Sequence, residues 1–283
     1  MNLPDKLFGK STAESYEKVL AESDKPPKDK FVDKIITPIT KIITPTSLQT
    51  PENYILLPQT TEHPDLLIAK NRLFYDTEVD KAAKKLGLNL ENNSQGYIGN
   101  INWEQALKLN NEAGNFTLNP KLFAEFLKLL KSGRPLDGKG VQVNSSELEN
   151  ILKEIIEVRS PYRAEWLDAK YSKLGAQLQV NYHKFDSSGK LIEVTETLDT
   201  DTMLQNKTPG INLDDWVNNP TSQGLPRTSV KEGNLYFWHP RESRVARFGA
   251  GPGGAYLGCN GDPQYSDSAL GGKVFAEGEA PKI

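Results

Sequence analysis

The glycine-rich C-terminal segment is the feature that most constrains what this chain can fold into. From Gly249 the sequence reads GAGPGGAYLGCNGDPQYSDSALGG, in which small or turn-forming residues fill most positions and apolar residues stand alone between them. Glycine and asparagine lose much backbone entropy on folding and contribute little burial in return. We therefore expect loops that need a rigid scaffold beneath them, not ordinary strands or helices. Tyr, Ser, Gly and Asn are also the residues of adaptable recognition loops, which favours a binding surface over a core.

The first sixty residues differ in composition from the rest of the chain. They are rich in Lys, Thr and Pro, and the sequence KIITP occurs at residues 34–38 and again at 41–45. Repeated Thr-Pro breaks helices and disfavours central strands. We predict an extended or disordered arm over residues 1–60, with a specific docking motif as the alternative.

Residues 61–158 carry the periodicity of amphipathic helices. Apolar residues recur at helical spacing in four stretches, at residues 79–86, 103–107, 122–130 and 148–156. Asn119 followed by Pro120 is typical of a helix start, and Gly133 is typical of a helix end. The segment is predicted to form a small helical domain, whose role the periodicity does not indicate.

From residue 159 the pattern changes to strands. Leu178, Val180 and Tyr182 alternate with polar residues, and the sequence DSSG at residues 186–189 predicts a turn into a second strand. Further strands are predicted at residues 235–238, 244–248 and 274–275, and a long ordered loop at 219–226. Buried anchors of this half are predicted at Trp166, Trp216 and Trp238. These signals indicate an α+β protein with a loop-rich second half.

Composition and charge exclude several classes of function. The 34 basic and 37 acidic side chains nearly balance, so the chain has no overall positive field for nucleic acid. The single cysteine, Cys259, leaves no partner for an internal disulfide or a cysteine-based metal cluster. The sequence shows no signal peptide and no window that is long and apolar enough for a membrane span. We expect a soluble protein, located in the cytoplasm or in a virion.

The sequence VARFGAGPGGAYLGCNGDPQYSDSALGGK resembles the variable region of the target proteins of diversity-generating retroelements, in particular those of archaea and their viruses. In that family, copying errors at adenines change selected codons while the residues between them stay fixed. The resemblance spans about residues 160–278. It implies that residues 159–283 form a C-type lectin-like domain of the formylglycine-generating-enzyme kind, with the variable region at about residues 245–273.

Matching the two patterns residue by residue divides the segment into fixed and diversified positions. The fixed scaffold positions that the resemblance implies are Val245, Ala246, Arg247, Phe248, Ala250, Ala255, Leu257, Cys259, Pro263, Ser266, Ser268, Leu270 and Gly271. The diversified, ligand-binding positions that it implies are Gly249, Gly251, Gly253, Gly254, Tyr256, Gly258, Asn260, Asp262, Tyr265, Asp267 and Ala269.

Two of the diversified positions are predicted to carry most of the contact. Tyr256 and Tyr265 lie among flexible polar residues, where a rigid amphipathic ring provides contact area at low entropy cost. We expect that removing both rings abolishes ligand binding and leaves thermal stability nearly unchanged.

The glycines of this segment also fit a nucleotide-binding pattern. Gly249, Gly251 and Gly254 are spaced as G-x-G-x-x-G, which cradles a pyrophosphate only where a helix begins at the glycines. Here Pro252 interrupts them and the sequence AYLGCN follows, which is not a helix. We therefore predict no dinucleotide site.

Candidate metal ligands and catalytic groups are scattered. His63, His183 and His239 lack the spacing of a metal site, and Cys259 is interpreted as a small buried hydrophobe. Four acidic residues could offer oxygen ligands to Ca²⁺, but the first turn of a helix explains the last two of them equally well: Asp199, Asp201, Asp214 and Asp215. We predict no catalytic residue, no bound metal and no cofactor.

The function expected from the sequence is recognition without chemistry. Residues 249–269 would be displayed to a protein or other ligand on a cell surface, without a nucleic-acid partner. One alternative is an oxidase or hydrolase on a lectin-like fold, using Asp and His groups of the second half. Another is a structural virion protein that attaches through the helical domain. The sequence does not identify the ligand, and it leaves both a homo-oligomer and a virion component open.

Overall fold

The computed structural model describes residues 51–73, 76–92, 97–159, 162–267, 270–271 and 273–277. All of these residues belong to one compact unit that spans residues 39–283. Helices and mostly antiparallel strands are both well represented among them, which confirms the predicted α+β class.

Each α-helix of the described residues begins at a side-chain cap. The helices are α1 (Thr77–Leu86), α2 (Trp103–Glu112), α3 (Pro120–Lys131), α4 (Ser145–Ile156) and α5 (Leu213–Asn218). The capping residue accepts a hydrogen bond from the backbone N–H three residues later in every case: Asp76, Asn102, Asn119, Asn144 and Asn212. In the described part of the chain, no helix has the length and apolar character needed to cross a membrane.

Two small sheets are formed largely by the first half of the chain. A four-stranded sheet consists of β1 (Tyr54–Leu57), β2 (Leu66–Arg72), β5 (Leu136–Asp137) and β14 (Lys273–Glu277). Its strand order is β14-β2-β1-β5. A short pair is formed by β3 (Glu91–Asn92) and β4 (Ile98–Gly99).

The large sheet contains the rest of the strands in the described residues. They are β6 (Arg163–Leu174), β7 (Gln177–Phe185), β8 (Leu191–Thr197), β9 (Lys207–Ile211), β10 (Leu235–Trp238), β11 (Val245–Gly251), β12 (Gly254–Gly261) and β13 (Leu270–Gly271). The order is β8-β7-β6-β11-β12-β10-β9, and β13 pairs with β6. The β10–β12 and β13–β6 pairs are parallel, and the others are antiparallel.

The predicted arm ends earlier than residue 60. Residues Tyr54–Leu57 form β1, and all four side chains are buried. Four consecutive apolar residues suit a strand that is covered on both faces. Along its two edges β1 pairs with β2 and β5. The arm prediction for residues 1–50 falls outside the described residues.

The expectation of irregular loops from Gly249 onward is wrong for residues 249–261. They belong to the hairpin of β11 and β12, which has a turn at residues 252–253 and lies inside the large sheet. β11 is paired on its other side with β6, and β12 with β10. Glycine buries little apolar surface, so the hairpin is stabilised by backbone hydrogen bonds to neighbouring strands along both of its edges.

One hydrophobic core joins the helical segment to the strand-rich segment. Phe248 of β11 packs against Phe123 of α3, with 4.8 Å between ring centroids, and stacks on Trp216 of α5 at 6.4 Å. The same cluster of buried residues extends from Ile55 to Cys259. The boundary proposed at residue 158 stays a prediction, and the segments on either side of it share this core.

The predicted ordered loop at residues 219–226 packs closely on the start of α3. Trp216 donates a hydrogen bond from Nε1 to the carbonyl oxygen of Gly224 at 2.9 Å. Gly224 has a φ of +82°, and a Cβ atom there would lie 2.1 Å from the backbone nitrogen of Lys121. The position therefore requires glycine for both its conformation and its surroundings.

We expect Gly224→Ala to lower the free energy of unfolding by about 3 kcal/mol or more, because left-handed strain and a backbone clash add together. Gly189→Ala is the matched control, since Gly189 has a φ of +76° and open space around it. Strain alone should cost the control about 1 kcal/mol. Urea denaturation measures both values, and equal losses in the two variants would contradict the packing of the loop on α3.

Candidate ligand-binding face

The hairpin of β11 and β12 has two chemically different faces. Successive side chains of a strand point to opposite sides. Ala246 and Phe248 of β11, with Leu257 and Cys259 of β12, belong to the hydrophobic core, and Ala255 packs against it. Arg247, Tyr256 and Asn260 lie on the other side. The two sets of positions that the resemblance separates therefore fall largely on the two faces, with Arg247 as an exception among the fixed positions.

Aromatic rings and one guanidinium group dominate the face that points away from the core. We call the following six residues the tyrosine face: Tyr162, Tyr236, Trp238, Arg247, Tyr256 and Tyr265. The ring of Trp238 stacks on Tyr236 at 6.0 Å and meets Tyr256 edge-on at 5.4 Å. The face is continuous across β10 and β12, because Tyr236 and Tyr256 are directly paired in register.

Arg247 connects the inner and outer parts of the tyrosine face. Its guanidinium carbon lies 5.7 Å from the ring centre of Tyr256 and 6.0 Å from that of Tyr265. A guanidinium group at this distance from an aromatic ring is attracted by the ring's negative face. The hydroxyl of Tyr265 lies 3.3 Å from that of Tyr162 and donates to Asp267 Oδ2 at 3.2 Å.

Depth divides the tyrosine face into two layers. Tyr256 is only 3% exposed and Arg247 and Trp238 are buried, whereas Tyr162, Tyr236 and Tyr265 are partly exposed. Burial raises the pKa of Tyr256, and burial together with the hydroxyl of Tyr265 raises that of Tyr162. The prediction that both tyrosines contribute to contact without affecting stability therefore does not fit Tyr256, which is a packed residue.

The glycines at the diversified positions differ in the space around them. A Cβ atom at Gly249 would lie 2.7 Å from the carbonyl oxygen of Arg163 and from the Tyr256 ring, and Gly254 has a φ of +133°. Gly249 and Gly254 therefore each require glycine, which disagrees with the variation that the resemblance implies at these two positions. Gly253 is exposed, and a Cβ atom at Gly258 would make only ordinary contacts at 3.6–3.7 Å. Gly251 is buried.

Asp262, Tyr265 and Asp267 lie on the turn that follows β12, and Asn260 lies in β12 itself. Asp262 Oδ1 accepts a hydrogen bond from the backbone N–H of Gln264 at 2.9 Å, which fixes the turn. Asp262 and Asp267 are partly exposed at the edge of the tyrosine face, while Asn260 is buried. Backbone hydrogen bonds from Asn100 to Asp267 and from Trp103 to Pro263 attach this turn to the start of α2. Ala269 lies outside the described residues.

Sequence reasoning missed several members of this face. Tyr162 and Tyr236 were not proposed as contact residues, and Arg247 was assigned to the fixed scaffold. Trp238 is buried, as predicted, but its ring also contacts Tyr236 and Tyr256. The signal was available for β10, because in the sequence LYFW every second residue, Tyr236 and Trp238, must share one face. Nothing in the local sequence places Tyr162 beside Tyr265, since the two are 103 residues apart.

The other sequence candidates have separate, structural partners. The G-x-G-x-x-G glycines form a hairpin and no helix begins there, as predicted. Cys259 is fully buried, and burial raises its pKa to about 12, so it is a poor nucleophile. Trp166 and Trp216 are fully buried, as predicted.

The acidic candidates for Ca²⁺ each have a different neighbour. Asp199 accepts hydrogen bonds from Ser222, and Asp201 pairs with Arg227. Asp214 and Asp215 lie in the first turn of α5, as the sequence indicated, and pair with Lys131 and the backbone of Lys231. Among the residues described, no three His, Cys, Asp or Glu side chains are grouped as metal ligands.

The three histidines likewise have different partners. His239 Nδ1 lies 2.8 Å from Asn206 Oδ1, and His63 pairs with Glu125. His183 Nδ1 lies 2.9 Å from Asp168 Oδ2, and the same oxygen accepts the backbone N–H of His183. Burial lowers the pKa of His183, but the hydrogen bond and charge of Asp168 outweigh it, so its pKa lies above the ordinary value.

For Tyr256→Ala we expect a loss of about 3–5 kcal/mol in the free energy of unfolding, the usual cost of removing a buried aromatic ring. For Tyr265→Ala we expect about 1 kcal/mol, because that ring is partly exposed. Chemical denaturation of both variants distinguishes the inner layer from the outer layer. A loss at Tyr256 as small as that at Tyr265 would show that Tyr256 is a surface residue.

The His183–Asp168 pair should make stability depend on pH. A raised folded pKa means that the pair's contribution is complete below the unfolded pKa of His183 and is lost as the pH rises through the folded pKa. The stability gap between wild type and Asp168→Asn should therefore be larger at about pH 5.5 than at about pH 8.5. A gap that is constant across this range, measured by urea denaturation, would contradict a charged pair.

Comparison with known proteins adds no assignment to this geometry. No protein-family model, no curated protein and no solved structure matches the chain.

Proposed function

We propose that this protein binds a macromolecular ligand through the tyrosine face and the adjoining turn at residues 262–267, and that a diversity-generating retroelement varies this surface. In this proposal the large sheet and its helices are a scaffold of C-type lectin-like type. The reaction class is recognition, with no chemical step, and the partner is a protein or another ligand on a cell surface.

The observation that carries the proposal is the division of the hairpin into two faces. The fixed positions Phe248, Leu257 and Cys259 lie in the core, and Tyr256, Gly258 and Asn260 of the diversified set alternate with them on the opposite face. Variation limited to every second residue changes a surface while the core beneath it stays the same. A strand with this division suits a diversified binding protein.

The chemistry of the face also supports recognition. Tyr, Trp and Arg are the residues most enriched among binding hot spots, and they make up the whole of the tyrosine face. The inner residues Trp238, Arg247 and Tyr256 are packed, so Tyr236 and Tyr265 are held in place before a ligand arrives. A rigid aromatic surface loses less entropy on binding than a flexible one.

Deep sequencing of this locus in its source population tests the proposal. We expect substitutions that trace to adenine-containing codons at Gly253, Gly258, Tyr265 and Asp267, together with a nearby template repeat. The alternating core positions on the same two strands provide the internal control and should be unchanged: Ala246, Phe248, Leu257 and Cys259.

Two results would count against this function. Variation spread evenly over both faces of the hairpin, or the lack of a template repeat beside the gene, would contradict diversification by a retroelement. The second test is a purified variant with Tyr236→Ala and Tyr265→Ala. If it retains its fold and still captures the same cell-surface ligand as wild type, the tyrosine face is not the binding surface.

A further inference from the structure

A second concave surface lies at the start of α3, and it shares no lining residue with the tyrosine face. It is a cleft of about 400 Å³ between the loop before β2, the first turns of α3, and the ends of β7 and β8. This volume is within the range of small-molecule sites. Most small-molecule sites are apolar, whereas seven of the side chains that line this one are acidic or basic: Glu62, His63, Lys121, Glu125, Lys184, Asp186 and Glu196.

His63 forms a buried cationic wall of the cleft. Its side chain is 1% exposed, Nε2 lies 2.9 Å from Glu125 Oε2, and Nδ1 lies 2.7 Å from the carbonyl oxygen of Pro64. A neutral imidazole carries one N–H and can satisfy one of these acceptors, whereas an imidazolium satisfies both. The geometry therefore favours the protonated ring.

The two lysines of the cleft also form ion pairs with carboxylates. Lys121 pairs with Glu62, and Lys184 pairs with Glu196. Glu196 also accepts a hydrogen bond at 2.8 Å from the hydroxyl of Tyr182, which is buried. Every cation of the lining thus has a protein partner.

The carboxylates of the cleft retain acceptor capacity. Glu62 and Glu125 each use one oxygen in their ion pairs, and Asp186 uses Oδ1 for the turn at residues 188–190. Their second oxygens receive no hydrogen bond from the described residues. With Glu196, the four carboxylates face three cations, so the cleft has an excess of negative charge and of hydrogen-bond acceptors.

We propose that this cleft binds a small aliphatic amine through its ammonium group. An ammonium group supplies three N–H donors and one positive charge, which match the spare oxygens and the excess charge. An anion would meet like charge, and a fully apolar ligand would remove water from charged walls without replacing its hydrogen bonds. Leu122 and Phe185 also line the cleft and offer apolar contact to the methylene chain of the amine.

Isothermal titration calorimetry of the full chain with 1,4-diaminobutane tests this site. Succinate and 1,4-butanediol have four-carbon chains as well and serve as anionic and neutral comparisons. We expect saturable one-site binding of the diamine alone. No saturable binding of the diamine, or equal binding of succinate or the diol, would overturn the proposal.

Matched variants locate the binding. Glu62→Gln removes one charge at an exposed position and Asp186→Asn removes one at a partly exposed position. We expect each to weaken diamine binding by about two- to fivefold, the range for exposed charge pairs. Glu193→Gln is the control, because Glu193 is exposed on β8 and pairs in register with His183, on the face opposite Glu196. An equal loss in the control, or no loss in either test variant, would place the binding outside the cleft.

Discussion

The packing of Phe248 between α3 and α5 is the contact on which the rest of the structure depends. Phe248 lies in β11, which has only small side chains on its neighbouring core positions, Ala246 and Ala250. The glycines of the hairpin bury almost no apolar surface, so Phe248 and Leu257 are the largest apolar side chains that the two central strands contribute to the core. Because Phe123 and Trp216 meet Phe248 from two helices, the same contact also holds the helical segment against the sheet. The hairpin is ordered by its neighbours, through backbone pairing at both edges and this one aromatic cluster beneath it.

This arrangement separates the residues that stabilise the fold from those that form the tyrosine face. The core face of β11 and β12 contributes burial, and the opposite face contributes rings that are held by each other and by Arg247. The inner layer limits which positions can vary, however. The Tyr256 ring occupies the space that a side chain at Gly249 would need. A diversified surface on this scaffold would therefore vary most freely at the hairpin turn and at residues 262–267. The strand positions would vary within the space that Tyr256 and Arg247 leave.

Local signals predicted much of the fold, and long-range contacts explain most of what they missed. Asn102 and Asn119 mark helix starts through their own side chains, and the β7–β8 hairpin follows from alternation and a DSSG turn. The segment after Gly249 was misjudged because glycine content outweighed a real signal, the spacing of Ala255, Leu257 and Cys259 at every second residue. β6 gave no readable pattern, since Glu165 and Asp168 are buried charges that only tertiary partners such as His183 accommodate. The amine cleft was equally inaccessible, because His63 and Glu125 are 62 residues apart in the chain.

The two surfaces meet the same helix from different sides. Glu125 of α3 lines the amine cleft, and Phe123 of the same helix contacts Phe248 beneath the tyrosine face. Proximity of this kind does not make the sites interdependent, because coupling requires an element with two alternative arrangements that both ligands bias. α3 has a capped start, seven buried residues and one packed environment. Well-packed cores resist continuous deformation, and the structure shows α3 in a single arrangement. We therefore expect a ligand in the cleft to leave binding at the tyrosine face unchanged.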